Sequence, residues 1–351
     1  MRYFKFFVPV LALSLLGAGC LGIGGGTSTA DGGVWKTSDA GLSWTQSVAI
    51  PTATGVGSLA DTSILDFVID PEDHLALYIA TISNGMLFSY DGGVSWQQPR
   101  ETALRSGQVN SLAIDSKDKC TVYAVLTNQL AKSTDCSRTF NTEVYVESRP
   151  RVTLTDVLVD WYDSNVIWLS TSEGDVIKST NGGVNWITSA RLDSKIVQML
   201  IDNIDSRIVY VATERKGLYK TTDAGENWVD MSEGLKGYSD ASHLVSITQD
   251  AKSSVLLINS EYGLLRSTDK GSTWQALELI TAPKEVDILV LAVDPNDTDR
   301  IYYATASTFY STIDAGVNWQ TRKLPTLRTP TSLAIDFEDG NVIYLGGAKF
   351  E

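Results

Sequence analysis

Histidine and cysteine are scarce in this chain: His74 and His243 are the only histidines, and three cysteines occur in 351 residues. Both histidines lie in loop-like segments with no cysteine beside them, which excludes a zinc centre. Lys and Arg total 28 against 42 Asp and Glu, a formal net charge of −14, and no run of basic residues follows the N-terminal segment. Such a surface repels phosphate backbones and anionic headgroups, so nucleic acid is excluded as a partner. No Gly-x-Ser-x-Gly element or phosphate-cradling loop is present. No cofactor and no metal are therefore expected.

What is abundant is a repeated turn. Six copies read Thr37 to Trp44, Ser89 to Trp96, Ser179 to Trp186, Thr221 to Trp228, Ser267 to Trp274 and Thr312 to Trp319, in the pattern Ser/Thr-x-Asp/Asn-x-Gly-x-x-Trp; a seventh, Ser133 to Phe140, has lost its Gly and Trp. Successive terminal aromatics are 52, 44, 46, 42, 46 and 45 residues apart. That is the four-strand period of a propeller blade, so seven copies mean seven blades. The polar members Asp39, Asp91, Asp135, Asn181, Asp223, Asp269 and Asp314 can accept hydrogen bonds from their own turn. Glycine permits the positive φ that closes it. The aromatics Trp44, Trp96, Phe140, Trp186, Trp228, Trp274 and Trp319 act as wedges between sheets, each Trp able to bury about 150–250 Å², or roughly 4–6 kcal/mol at most. Both sets are expected to support the fold and to touch no ligand.

A second repeat has the same period. Apolar runs ending in Asp, such as Ile64 to Asp70, Leu154 to Asp160 and Ile288 to Asp294, precede β-branched and aromatic runs such as Leu77 to Thr81, Ile208 to Thr213 and Ile301 to Thr305. Near-continuous apolar strands are those buried on both faces. The chain starts at a third strand, Gly33 to Lys36, and stops after a second strand, Val342 to Leu345, so its ends should complete one blade together. The expected fold is an all-β, seven-bladed propeller of four antiparallel strands per blade over residues 32–351, closed by its N- and C-terminal strands.

Arg2 and Lys5 followed by an apolar stretch from Phe6 to Leu16 fit a secretory signal, too short to span a bilayer. Gly17-Ala-Gly19, Cys20 and a Gly/Ser/Thr-rich linker then resemble a bacterial lipoprotein signal, although Leu16 stands four residues before the cysteine where that family places it three before. The resemblance implies a signal peptide over 1–19, an acylated Cys20, a linker over 20–31 and a place in the bacterial cell envelope. Export favours oxidation, leaving Cys120 and Cys136 to pair and staple the decayed turn.

The box pattern resembles the BNR/Asp-box propeller superfamily from Gly32 to the end, and within it the photosystem II stability/assembly factor-like group. That group implies a non-catalytic binding propeller. Sialidases, xyloglucan-cleaving glycosidases and sortilin-type receptors share the box, so it carries fold and not activity. The Arg-Ile-Pro-type segment and arginine cluster of sialidases are absent; Pro150-Arg151 stands alone. The two-propeller cleft of xyloglucan glycosidases does not fit in this length, and the basic patch implied for photosynthetic assembly factors has no counterpart.

Box turns and first-to-second-strand turns share one face, so a ligand belongs on the opposite, upper face or in the central channel. Stepping back four residues from each inner strand's final Asp gives a ring: Asp66, Ser111, Asp156, Gln198, Ser246, Val290 and Ser332. Asp66 and Asp156 are the only candidates for a glycosidase-type acid/base pair. Upper-face loops add Asn84, Asn128, Glu173, Arg215, Lys216, Glu261 and Tyr262, and longer interblade loops add Tyr145, Arg149, Arg151 and Tyr238. The expected work is binding of an envelope or extracellular protein by a monomer that reaches the membrane only through its lipid; the alternative is a carbohydrate-active propeller.

Overall fold

The computed structural model describes residues 30–350, and the proposed signal segment and Cys20 lie outside them. Seven antiparallel sheets follow one another along the chain, and no α-helix occurs among the described residues. Blade 1 joins the two ends: Thr45–Ser47 pairs with Val34–Thr37, which pairs with Ile343–Ala348, which pairs in turn with Thr329–Ile335. The closing register sets Val34 opposite Gly346 and Thr37 opposite Ile343. The remaining inner strands are Ile64–Asp70, Val109–Asp115, Leu154–Val159, Ile196–Ile201, Leu244–Gln249 and Val290–Asp294, in blades 2 to 7. Six blades have four strands, whereas blade 2 has three and a single Phe88–Gln97 bridge in place of its outermost strand.

One departure from the expected layout is a separate hairpin, Ala49–Thr52 with Gly55–Ser58, inserted between blades 1 and 2. It accounts for the 52-residue first interval between aromatics. Its strands are short and its Val56 is exposed, so no apolar periodicity announced it.

Burial on both faces of each sheet is what makes the second strands so apolar. Buried side chains form seven clusters, one at each interface between neighbouring blades. Successive residues of one strand serve different interfaces, because side chains alternate across a sheet. In blade 2, Leu77 and Ile79 pack toward blade 1 with Val34 and Tyr344, while Tyr78 and Ala80 pack toward blade 3 with Leu112 and Val122.

The box turns behave as their residue types require. In the first, Asp39 Oδ1 accepts from Ser43 N at 2.8 Å and Oδ2 from the Ser43 hydroxyl at 2.6 Å, while the Thr37 hydroxyl donates to Oδ1 and accepts from Gly41 N. Asn181 keeps the backbone half of this pattern through Asn185 N. Gly41 and its equivalents hold φ near +85°. The decayed turn reaches the left-handed region without glycine, at Cys136 (φ 57°) and Ser137 (φ 61°), and Cys136 is disulfide-bonded to Cys120 across two turns of one blade. Each wedge leans on the preceding blade: Trp96 Nε1 donates to Ser47 O, Trp186 Nε1 to Val144 O and Trp228 Nε1 to the Ser189 hydroxyl, and Trp44 packs edge-on to Phe309.

Two outcomes test this account. Deleting 331–351 removes the innermost strand of blade 1 and its neighbour, exposing sheet edges, and should leave a chain that elutes as aggregate on size exclusion; a soluble truncation with a cooperative melt would contradict ring closure. Replacing Cys120 and Cys136 by serine should lower the urea unfolding free energy by about 3 kcal/mol, the loss set by freeing a loop of this size.

Candidate functional site

The seven ring positions all line one central channel of about 410 Å³. Their backbone explains their polarity. In blades 2 to 6 and in blade 1 the inner strand slips by one residue against the second strand immediately before the ring position, between Ile64 and Asp66, Val109 and Ser111, Leu154 and Asp156, Ile196 and Gln198, Leu244 and Ser246, and Pro330 and Ser332. Such a bulge takes backbone groups out of the ladder and leaves them to side chains. In blade 7 the strand begins at the ring residue itself, Val290, the one apolar member.

The side chains then bond from blade to blade. Asp66 accepts from Phe67 N at 2.8 Å and from Leu112 N of blade 3 at 3.0 Å. Ser111 donates to Asp156 at 2.9 Å; Asp156 also accepts from Val157 N and from Met199 N of blade 5, both at 2.8 Å. Gln198 Oε1 accepts from Ile247 N of blade 6 at 3.0 Å. This relay runs from blade 2 to blade 6 and stops. The hydroxyls of Ser246 and Ser332 are buried without a hydrogen-bond partner.

Asp66 and Asp156 are thus brought to the same channel, with Ser111 between them. Burial pushes Asp66 up to about 6 against the pull of Leu112 N, and the negative charge of Asp156 adds to the rise. Burial also raises Asp156, opposed by Met199 N and the Ser111 hydroxyl. Both carboxyls are committed to backbone donors on neighbouring strands, which is how the sequence-based acid/base pair differs from a freely swinging one.

The loop candidates divide. Arg149 is held by Glu147, at 2.9 and 2.7 Å, and by Asp175 at 2.6 Å; both acids are nearly fully buried, and they raise the Arg149 pKa. Its guanidinium is spent in joining the end of blade 3 to Asp175 of blade 4, and Tyr145 belongs to the same group through a 3.4 Å bond to Glu147. Tyr238 donates to Trp274 O at 2.8 Å and packs edge-on to Tyr262 at 5.1 Å, so both tyrosines serve the blade 5–6 interface. Lys216 donates to Leu192 O. Arg151 is exposed, at a positive φ of 66°. Arg215 and Glu261 come together with Glu214, His243, Val245, Val286, Asp287 and Leu289 in a cleft of about 560 Å³ over blades 5 to 7. That cleft shares Val245 and Leu289 with the channel, so the two adjoin.

Val286 and Asp287 were missed from sequence because their loop has no counterpart at equivalent positions in other blades. The final aspartates of the inner strands satisfy their own turns, as with Asp70 accepting from Glu72 N and Asp202 from Ile204 N and Asp205 N. Among the described residues no group of three or more His, Cys, Asp or Glu is placed to hold a metal ion.

No protein-family model and no curated protein sequence matches this chain. Solved structures match its fold. A GH74 xyloglucanase from Xanthomonas campestris aligns over 82% of this chain and 51% of its own, with TM-score 0.67 and 16% identity. YCF48 bound to D1 peptide aligns over 86% and 96%, with TM-score 0.64 and 14% identity. The extracellular domain of a putative one-component system from B. thetaiotaomicron aligns over 83% and 41%, with TM-score 0.60 and 15% identity. The chain spans about half the length of the xyloglucanase. The class these matches define is the seven-bladed propeller, a fold this chain shares with a xyloglucanase, with YCF48 and with the extracellular domain of a putative one-component system alike.

The titrating groups predict a bell-shaped stability profile. Asp39, Asp135, Asp223 and Asp269 are held at about 2, first by the side-chain donor four residues on, and Asp314 at about 2, first by the Thr312 hydroxyl. These depressed carboxylates stabilise fully above the ordinary value of 3.8, and that stability is lost as pH falls toward 2. Asp66 acts in the opposite sense: its folded form keeps a proton that the unfolded chain has released, so stability declines as pH rises from 3.8 through about 6. Melting temperature against pH should peak near pH 4 to 5, and Asp66→Asn should make the alkaline side shallower, with Asp156 still contributing to the decline, while leaving the acid side unchanged.

Proposed function

We propose that this chain is an exported, non-catalytic binding propeller that presents its upper face and channel mouth to a segment of another protein. The observation that carries this reading is the state of its one acid/base pair. Asp66 and Asp156 accept backbone bonds that tie inner strands together, whereas a general acid must be free to exchange its proton with substrate. The cleft beside the channel supplies what binding needs: exposed Val245 and Val286, partly buried Leu289 and a polar rim. A propeller of the same fold, YCF48, has been solved with a peptide bound, so the architecture is compatible with such a ligand.

Export and attachment belong to the proposal. The apolar segment over 6–16 and the small residues before Cys20 support cleavage and acylation in a bacterial envelope, with the propeller acting as a monomer on its tether. The fold shared with a GH74 xyloglucanase keeps a carbohydrate-active reading in the same experiment.

Tagged protein should capture an envelope protein from extract, and Val245→Arg, at an exposed cleft position, should abolish the capture without changing the melt. Reducing ends should not be released from xyloglucan or other envelope and plant glycans. Sugar release that Asp66→Asn removes would overturn the binding reading in favour of hydrolysis.

A further inference from the structure

The inserted hairpin, Ala49–Thr52 with Gly55–Ser58, has one edge in use and one open. Leu59 N donates to Val48 O at 2.9 Å, so Val48 and Leu59 form a hydrogen-bonded pair. In an antiparallel ladder such pairs alternate with pairs whose backbone groups face outward. The register then makes Ile50 and Gly57 a bonded pair and leaves Ala49, Pro51, Val56 and Ser58 facing out. On the first strand the outward side is used, since Trp96 N of the next blade donates to Ala49 O at 2.8 Å. On the second strand the N–H and C=O of Val56 and of Ser58 have no partner among the described residues. Val56 is 77% exposed, and Ser58 is exposed as well.

Two further features distinguish this edge. Chains guard free edges with charge, proline or brevity, because an unguarded edge pairs with another chain. The outermost strands of the blades follow that rule. Asn141–Val146, Ile187–Arg191, Val229–Asp230 and Gln320–Lys323 each carry a charge, and Thr45–Ser47 and Gln275–Ala276 are three and two residues long. Gly55–Ser58 carries none, and no charged residue occurs between Thr45 and Ala60 in a chain of net charge −14. Gly57 lies inside this strand although the fold does not require glycine there. Its φ is not positive, and a Cβ would meet Ile50 O at 3.5 Å and Ile50 Cβ at 3.6 Å, which are ordinary contacts. A glycine inside a strand costs stability, and its recurrent use is to let another backbone come close.

Beyond the tethered monomer, we infer that this edge pairs with the same edge of a second copy. A twofold axis at Gly57 sets Val56 of one copy opposite Ser58 of the other, twice over, and each such pair exchanges two bonds. All the open groups are then satisfied. Gly57 meets its own copy in a non-bonded pair, where Cα atoms come within about 4.5 Å and side chains are most crowded. The contact holds no like charges, whereas net charge opposes the approach of two such chains elsewhere. A four-residue edge buries far less than the roughly 1,200 Å² of a stable interface, so concentration drives the pairing. Each propeller keeps its own cleft and binds through it.

Sedimentation velocity of the full chain should show a monomer at about 1 μM and a growing dimer as the concentration approaches about 1 mM. Added salt screens the net charge and should strengthen the association. Gly57→Cys should cross-link under mild oxidation at least about ten-fold faster than Thr54→Cys at the exposed tip, because a disulfide spans Cα separations of about 4.4–6.8 Å. Mass spectrometry of the linked peptide at position 57 separates this product from any link through Cys20. Val56→Pro removes an N–H that the hairpin itself does not use, and Ser58→Lys guards the edge; both should keep the melt and lose the dimer. A chain monomeric throughout the range, equal cross-linking of the two cysteine variants, or a dimer that survives in either folded edge variant would overturn the inference. Capture of a partner through Val245 does not involve this edge, so its failure would sink the binding reading and leave the pairing standing.

Discussion

Closure of the ring rests on hydrogen bonds and wedges that cross from one blade to the next, because no blade is a finished structure by itself. A four-stranded sheet with apolar residues on both faces has nowhere to put them except against two neighbours. The seven interface clusters are that requirement met seven times. Directional bonds then fix how neighbours sit. Lys36, Lys132, Lys178 and Lys220, each at the same place in a third strand, reach across to a carbonyl of the next blade's box turn: Gly92, Gly182, Ala224 and Lys270. Each passes over an aromatic ring of its own blade at 4.8 to 5.7 Å. Desolvation lowers the pKa of Lys36, Lys178 and Lys220, so these ammonium groups are partly buried on their way across. A net of about 1 kcal/mol per bond is small beside the apolar burial, yet it is the bonds that set registration between sheets, which burial alone leaves free.

The third blade shows what happens when one turn loses its standard parts. Ser137 takes the place of the box glycine in a left-handed conformation that costs a side-chain residue roughly 1–2 kcal/mol. Phe140 replaces tryptophan and has no indole N–H to give the preceding blade. The backbone pattern nevertheless survives, since Asp135 still accepts from Thr139 N at 2.8 Å and from its hydroxyl at 2.6 Å. The covalent link from Cys136 to Cys120 holds the turn against the one beside it, where Cys136 N also donates to Cys120 O. In the neighbouring blade Tyr90 donates to Cys136 O at 3.1 Å, tying the stapled turn to blade 2. The constraint is local, and blades 2 and 4 pack on blade 3 through the same kinds of cluster as elsewhere.

The sequence is legible wherever a residue type serves one recurring role. The box turns, the seven-fold period, the shared closing blade and the polar channel ring follow from spacing, because each repeat answers the same local need. Bonds between blades are not legible in that way. Asp66 reads as a free carboxylate until Leu112, 46 positions away, is seen to donate to it. Arg149 reads as an exposed cation until Glu147 and Asp175 are seen to be buried beneath it. Tyr238 reads as a contact residue until its hydroxyl is found on Trp274 O. The hairpin over 49–58 has too little apolar alternation to register, and the cleft joins residues of three blades whose loops share no pattern.

Repetition also explains why the functional reading concentrates on one sector. A ring of seven equivalent interfaces would offer a ligand seven equivalent sites, and none would be specific. Specificity needs a place where the repeat is broken. Here the breaks coincide: the polar relay ends at blade 6, Val290 interrupts the ring, the interface cluster is smallest between blades 6 and 7, and an exposed loop over 281–287 departs from the repeat to wall the cleft. A buried bond from Asn259 Nδ2 to Ile288 O at 2.8 Å still ties the two blades together there. A ligand bound there would add to that tie, since a molecule that binds only the closed ring stabilises that ring in proportion to its concentration and affinity. On this argument the seam between blades 6 and 7, where the buried cluster is smallest, is also where the repeat offers a ligand a place unlike the other six.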